Sequence, residues 1–302
     1  MQEASTISSA DSNIYRIQRS LRWAGSRGFL YSILLLLCVI FGFPFFWTVA
    51  TSLKTAPELS VFPPLLLPNQ PQWGNYVRVF TLFRYPVGRW ILNTLYVVAT
   101  STLGTMLSAT MVAYGFARFR FRGRELLFMI TLGTMMLPSQ VTLIPQFLIF
   151  HNMGWVNTFK PLWVPNWFGG GAFFIFLLRQ FFLTLPKEFD EAAKMDGAGY
   201  WRILWTVLLP LCKPVMATVG IISFMGNWNN FMGPLIYLNR VEQYTLAVGL
   251  RFFHVNPESG YGDPLQHILM AATVLSILPC LVLFFSGQTY FIRGIVMSGI
   301  KG

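Results

Sequence analysis

The stretch at 186–210, PKEFDEAAKMDGAGYWRILWTVLLP, is a polar interruption in a chain that is otherwise mostly apolar. Glu188, Asp190, Glu191 and Asp196 are four of only 11 acidic residues in 302, and they fall within nine positions. A chain that concentrates its scarce acids between two long apolar runs presents them to an aqueous partner.

Working outward, composition sets the class. Hydrophobic residues make up 54%, aromatics 17% and charged residues 11%, with a mean hydropathy of +0.54. A soluble domain carries about 25% charged residues, so the chain reads as an integral membrane protein. Its apolar runs are long and do not alternate, which favours helices over a barrel. The expected fold is all-α with six transmembrane helices: Phe29–Leu53, Trp90–Phe116, Leu126–Phe150, Leu162–Leu183, Val215–Leu238 and Ile268–Ile292. Each exceeds the roughly 20 residues that cross about 30 Å of hydrocarbon. The third and fifth are the least clean. Pro138, Gln140, Pro145 and Gln146 interrupt one, and Trp228, Asn229 and Asn230 interrupt the other.

The net charge of +11 is distributed as a topology signal. Fifteen of the 22 Lys and Arg fall on the side shared by both termini and the 186–210 stretch. They include Arg16, Arg19, Arg22 and Arg27 in the N-terminal arm, and Arg118, Arg120, Arg122 and Arg124 between spans two and three. Others are Arg179, Lys187, Lys194, Arg202 and Lys213 around the acidic stretch, and Arg293 and Lys301 at the end. The positive-inside rule places that side in the cytoplasm. The FARFRFRGRE run at 116–125 then reads as a lipid-headgroup anchor, with no nucleic-acid partner. The first apolar run is too long for a signal-peptide core, so it is expected to stay as a span.

A cytoplasmic arm is expected over 1–27 and one membrane domain over 28–302, with no internal sequence repeat. The connections Lys54–Arg89 and Asn239–Asp263 are expected outside, the first with a short interfacial helix at Trp73–Phe83. Cys38, Cys212 and Cys280 lack metal-ligand spacing and read as small hydrophobes. His151, His254 and His267 show no metal or triad spacing, and there is no G-x-x-x-x-G-K-[ST] segment to hold phosphates. No metal, catalytic residue or cofactor of the chain's own is expected.

The 186–210 stretch reads as two short helices joined at a glycine. Pro186 suits a first helical position, and Glu188, Asp190 and Glu191 complement the dipole of the first turns. Ala192 and Ala193 keep a face slim, and Gly197 is placed to take a left-handed conformation. Tyr200, Ile203, Leu204, Val207 and Leu208 then form an amphipathic stripe suited to lying along the base of the bundle. Pro210 is expected to end or kink that helix. These features alone fit equally an ordinary interfacial helix-turn-helix that packs only on its own bundle.

Glu191-Ala192-Ala193, Gly197 six residues on, Asp196-Gly197-Ala198 and Leu209-Pro210 resemble the EAA loop of ABC-importer permease subunits. FLLRQFF (176–182), WNNF (228–231), PLIYL (234–238) and the terminal GIVMSGIKG extend the likeness to the maltose-type, MalG-like carbohydrate permeases over roughly 88–302. SLKT (52–55) extends it more loosely to the first span. The resemblance implies a type I ABC importer fold, with a core domain at 88–293 and both termini cytoplasmic. It implies an inner-membrane, multi-pass subunit whose 186–210 loop couples to a cytosolic ATPase through Glu191, Ala192, Ala193, Asp196 and Gly197. It further implies a second homologous permease, two ATPase subunits that bind ATP and Mg, an external solute-binding protein, and a sugar as cargo.

Trp228, Asn229 and Asn230 are polar or aromatic groups inside a span, where such groups usually face the bundle interior or a water-filled cavity. They are candidates for the solute path, with Gln140 and Gln146 as weaker ones; the alternative is hydrogen bonding between helices. A secondary transporter or channel, or an ABC permease for a solute such as glycerol phosphate, are the competing functional readings.

Overall fold

The computed structural model describes the backbone of residues 3–82, 85–251 and 265–299, and the side chains of 28–82, 85–251 and 265–288. Arg16, Arg19, Arg22, Arg27, His254, Arg293 and Lys301, named above, lie outside the described side chains.

The described elements are helices. In order they are α1 (Glu3–Ser52), α2 (Ala56–Leu59), α3 (Gly74–Thr81), α4 (Val87–Arg118), α5 (Arg124–Gly133), α6 (Ser139–Asn152), α7 (Lys160–Trp163) and α8 (Ala172–Thr184). There follow α9 (Glu188–Met195), α10 (Tyr200–Arg202), a π-helical turn at Ile203–Leu208, α11 (Leu209–Leu211), α12 (Lys213–Trp228), α13 (Met232–Tyr237), α14 (Leu246–Arg251) and α15 (Gln266–Gly299). Four segments are long and apolar enough to cross a membrane: Gly28–Ser52, Val87–Arg118, Lys160–Thr184 and Gln266–Gln288. Two bent pairs among the described residues bring the number to six when each pair is taken as one span.

The bends correct the expectation of straight spans. The third span breaks into Arg124–Met136 and Ser139–Asn152, bent by 100°. Pro138 forces the break, because its ring disfavours the helical region for the residue before it; Leu137 is extended at φ −79°, ψ 119°. The fourth span, expected to be clean, is also interrupted. Its first part is the single turn α7 and a 3-10 turn at Val164–Trp167, and a regular helix resumes only at Ala172. Gly169, Gly170 and Gly171 between them all have positive φ.

Pro210 does not end its helix. The chain widens into the π turn at Ile203–Leu208 and runs helically through Pro210. A π turn relieves the clash between a proline ring and the carbonyl four residues earlier. The bend of 84° instead falls between Leu211 and Lys213, with Cys212 capping α12. In the fifth span α12 stops at Trp228 and a short α13 follows.

The helix α4 is the post around which these pieces pack. Its small and polar stripe, including Ser101, Gly104, Thr105, Ser108 and Ala109, is buried. Against that stripe lies the interrupted first part of the fourth span, whose freed carbonyls apolar surroundings tolerate only when protein covers them. Ser101 donates to the Leu162 carbonyl at 3.2 Å, Ser108 to that of Asn166 at 2.8 Å, and Trp167 Nε1 to that of Thr100 at 3.1 Å. At the opening of α4, Trp90 is wholly buried and donates to the Val241 carbonyl at 2.7 Å. Asn93 donates to the carbonyls of Glu242 and Tyr244. The connection after α13 is thereby strapped to the start of α4.

Two apolar clusters occupy opposite ends of α4. One joins Val79, Val87, Trp90, Val98, Trp228, Leu246 and Ile268. The other joins Ala109, Ala113, Ala117, Phe128, Leu178, Phe182, Ala193, Ile203, Leu204, Leu208 and Cys212. The 186–210 stretch therefore sits at the Arg118 end of the bundle, and the connection from Lys54 at the Trp90 end.

That connection is ordered. Its expected interfacial helix is α3, which buries Asn75 and Val79 and leaves Trp73, Val77 and Phe80 exposed. Lys54 is buried and donates to the Leu65 carbonyl, while Asn75 donates to the carbonyls of Ser52 and Lys54. Glu58 accepts the backbone N–H groups of Thr55 and Asn69 at 2.8 and 2.9 Å, which holds its carboxyl below the usual range.

Close packing on α4 makes a stability prediction. A Cβ on Gly170, whose φ is +65°, would lie 2.7 Å from the Thr105 carbonyl oxygen and 2.9 Å from Ala109 Cβ. Gly170→Ala is expected to destabilise by about 1–3 kcal/mol. Gly28→Ala, which meets nothing within 4 Å, is expected to be neutral. The melting midpoint of the detergent-purified protein checks both.

Candidate functional site at the Arg118 end

The helix α9 begins at Glu188, with Lys187 as its cap; the N–H groups of Asp190 and Glu191 both reach the Lys187 carbonyl. Pro186 thus stands two residues ahead of the helix instead of at its first position, and the three acids do fall in the first turn. The other terminus is a Schellman cap. Ala198 N–H donates to Ala193 O and Gly197 N–H to Lys194 O, both at 2.9 Å. Gly197 has φ +77° with open space where a Cβ would go. Any other residue there meets only the left-handed backbone penalty, about 1–2 kcal/mol.

The cap turns the chain into the second arm. Ile203, Leu204 and Leu208 are wholly buried, so the amphipathic stripe does press onto the bundle. Tyr200 is the exception: it is exposed, its ring edge-on to Phe119 at 5.0 Å, and its carbonyl receives the Tyr114 hydroxyl at 3.4 Å.

The two faces of α9 differ in kind. Glu188, Glu191, Ala192 and Met195 point away from the bundle, with Met195 89% exposed. Asp196 and Lys194 are exposed beside them, as are Phe189 and Trp201. Asp190 and Ala193 point inward, Asp190 being only 7% exposed. The two alanines therefore divide. Ala192 leaves an outward face slim, whereas Ala193 belongs to the chain's own core.

The inward acid has a partner that the sequence reading placed elsewhere. Arg118, at the end of α4, puts Nη2 3.2 Å from Asp190 Oδ2 and donates from the same nitrogen to the Leu185 carbonyl at 3.1 Å. The two side chains are 6% and 10% exposed. Arg118 is accordingly a buried structural cation and not part of a headgroup anchor; Arg120 and Arg122 remain exposed. Removing one member of such a pair strands the other and costs about 3–5 kcal/mol. A second buried cation, Arg179 of α8, lies 3.3 Å from Glu125 of α5 and 4.0 Å above the Phe128 ring. Nothing in the local sequence names these partners, because both pairs close across turns and helices far apart in the chain.

The residues singled out for a solute path are not brought together. Trp228 is buried, stacked on Phe224 at 5.5 Å, and donates to the Ser276 carbonyl of α15 at 3.1 Å. Asn230 Oδ1 accepts the Gly233 N–H at 3.2 Å, in the first turn of α13. Asn229 alone reaches the surface, in a hollow of about 370 Å³ lined also by Met225, Ser276, Cys280 and Phe284. Gln140 and Gln146 are exposed on α6 beyond the Pro138 break. A polar chain that the sequence reading passed over runs from Asn227, which donates to the Ser223 hydroxyl at 3.3 Å, to Thr102 of α4, which accepts from that hydroxyl at 3.4 Å.

Comparison with known proteins fits this architecture. Residues 102–297 match the family described as binding-protein-dependent transport system inner membrane component. The arabinooligosaccharides transport system permease protein AraQ of Bacillus subtilis is 31% identical over 271 residues, 89% of this chain and 93% of that one. The sn-glycerol-3-phosphate transport system permease protein UgpE of Yersinia pestis is 30% identical over 275 residues, 89% and 96% of the two chains. A crystal structure of a bacterial ABC transporter involved in import of the acidic polysaccharide alginate aligns with a TM-score of 0.77 at 25% identity, covering 87% of this chain and 96% of that one. The chain is therefore a multi-pass inner-membrane permease of the binding-protein-dependent transport family, built on the type I ABC importer fold.

Proposed function

We propose that this permease carries a sugar, delivered by an external solute-binding protein, across the membrane as part of an ATP-driven importer. The observation that carries the coupling half of this reading is the two-faced helix α9. Its inward face is fixed to the bundle by Asp190 and Ala193, while Glu188, Glu191, Ala192 and Met195 are exposed, with no ion pair or side-chain hydrogen bond among the described residues. A short helix with one free face of small, acidic and flexible residues suits insertion into a groove of another subunit. Since the chain has no phosphate-binding loop, ATP and Mg would be held by that subunit, a cytosolic ATPase present in two copies. A second homologous permease would complete the pathway.

In this reading the Arg118 end of the bundle and both termini lie in the cytoplasm, supported by the excess of Lys and Arg on that side. Residues 1–27 form the cytoplasmic arm and 88–293 the core transport domain. ATP-driven approach of the ATPase subunits would displace α9, and the bundle would rock between inward- and outward-facing states. The energy for that change comes from the differential affinity of ATPase and loaded binding protein for the two states. A carbohydrate cargo is supported by relatives that serve arabinooligosaccharides and alginate; the glycerol-3-phosphate relative makes a polyol phosphate the second reading. On the solute path, Asn229 is the member of the Trp228–Asn230 trio with a free surface.

Gly197→Pro, which removes the N–H that closes the cap, and Glu191→Lys on the free face should leave the subunit inserted. Each should lower solute-stimulated ATP hydrolysis of the reconstituted complex by about tenfold, as loss of a hot-spot contact does; wild-type rates in both would contradict the coupling role. The purified chain alone in liposomes should pass no solute without ATP. Measurable flux there would favour a secondary transporter or channel.

A further inference from the structure

The contact between α9 and the rest of the bundle has a soft route and a stiff one. The soft route runs through the π turn at Ile203–Leu208, on which α9 packs. That turn leads to the 84° bend before α12. The helix α8 offers no better lever, since it starts only after the glycine run 169–171. By contrast α4 runs as one helix of 32 residues with no proline inside, about 48 Å at 1.5 Å per residue. Among the described residues, the ion pair Arg118–Asp190 is the one salt bridge that ties α9 to any other element. Arg118 also holds the Leu185 carbonyl, so it grips the turn into α9 as well as the helix itself.

We propose that Arg118 is a positioning residue for the transport cycle, the link through which a displacement of α9 becomes a displacement of the whole of α4. A buried ion pair is weak evidence of stabilisation, since apolar side chains often serve stability better; its best-attested use is to set register. An apolar contact at this point would let α9 slide over the end of α4, whereas the pair resists sliding in both directions. Because α4 holds the short helical turns that open the fourth span through Ser101 and Ser108, a tilt of α4 moves that segment with it. The inference rests on the ATPase-coupled reading given above.

The test uses the complete complex in proteoliposomes, comparing Arg118→Gln, Asp190→Asn and Arg118→Lys with the wild type. The readouts are solute transported per ATP hydrolysed and the amount of ATPase subunit retained on purification. Arg118→Gln and Asp190→Asn are expected to keep their ATPase subunits and to lose about tenfold in transport per ATP. Arg118→Lys, which keeps the charge, is expected to retain most of it. The proposal is overturned if the two neutral variants transport normally per ATP, if they lose transport only in proportion to lost ATPase subunits, or if Arg118→Lys is as impaired as Arg118→Gln. A wild-type complex whose transport ignores ATP would instead overturn the importer reading itself, which separates the two failures.

Discussion

Backbone carbonyls released where helices break must find donors, because hydrocarbon supplies none. Among the described residues of this permease, one helix supplies such donors along its whole length. Along α4, Trp90 and Asn93 serve the connection after α13, Ser101 and Ser108 serve the interrupted fourth span, and Arg118 serves the turn into α9. The rest of the bundle is arranged so that its irregular pieces reach this post. Gly104 and Gly170 are the steric counterpart of that arrangement. A Cβ at Gly104 would lie 2.4 Å from Trp167, and one at Gly170 would meet α4 backbone.

The same economy explains why the 186–210 stretch has two faces. A helix that only decorated the bundle would bury its apolar side and leave its acids in water. Here one acid, Asp190, is drawn inward to a buried guanidinium, while Glu188 and Glu191 remain outside. The outward set is free to meet a partner because the inward set already fixes the helix. Rigidity toward the bundle and availability toward the aqueous side are thus produced by alternate positions of eight residues.

Much of this was readable in the chain. Long apolar runs located five of the six spans to within a few residues, since membrane thickness sets their length, whereas the fifth, expected at Val215–Leu238, is the bent pair Tyr200–Leu211 and Lys213–Trp228. Gly197 was identifiable as a left-handed cap because a glycine closing a short acidic and alanine-bearing helical stretch suits that conformation as other residues do not. The breaks at Leu137 and at 169–171 were harder. Pro138 marks the first as a suspect, but whether a proline kinks a span or cuts it depends on its neighbours. The glycine run is legible only once α4 is known to lie against it. Arg118 was misassigned to the lipid surface for a similar reason: a run of four arginines looks uniform in sequence, and only the fold shows that one of them turns inward. Trp228 illustrates the limit for solute sites, since an indole that could face a sugar and one that bonds a neighbouring helix have the same sequence surroundings.

The central claim, that α9 presents one face to an ATPase and keys the other to its own bundle, is open to direct measurement. Single cysteines at 188, 190, 192, 193 and 195 would be tested with a membrane-impermeant maleimide on the side proposed to be cytoplasmic, with and without the ATPase subunits bound. The account predicts rapid labelling at 188, 192 and 195 that the ATPase suppresses, and no labelling at 190 and 193 in either state. Labelling at 188, 192 and 195 that the ATPase leaves unchanged, or equal reactivity at all five positions, would contradict it.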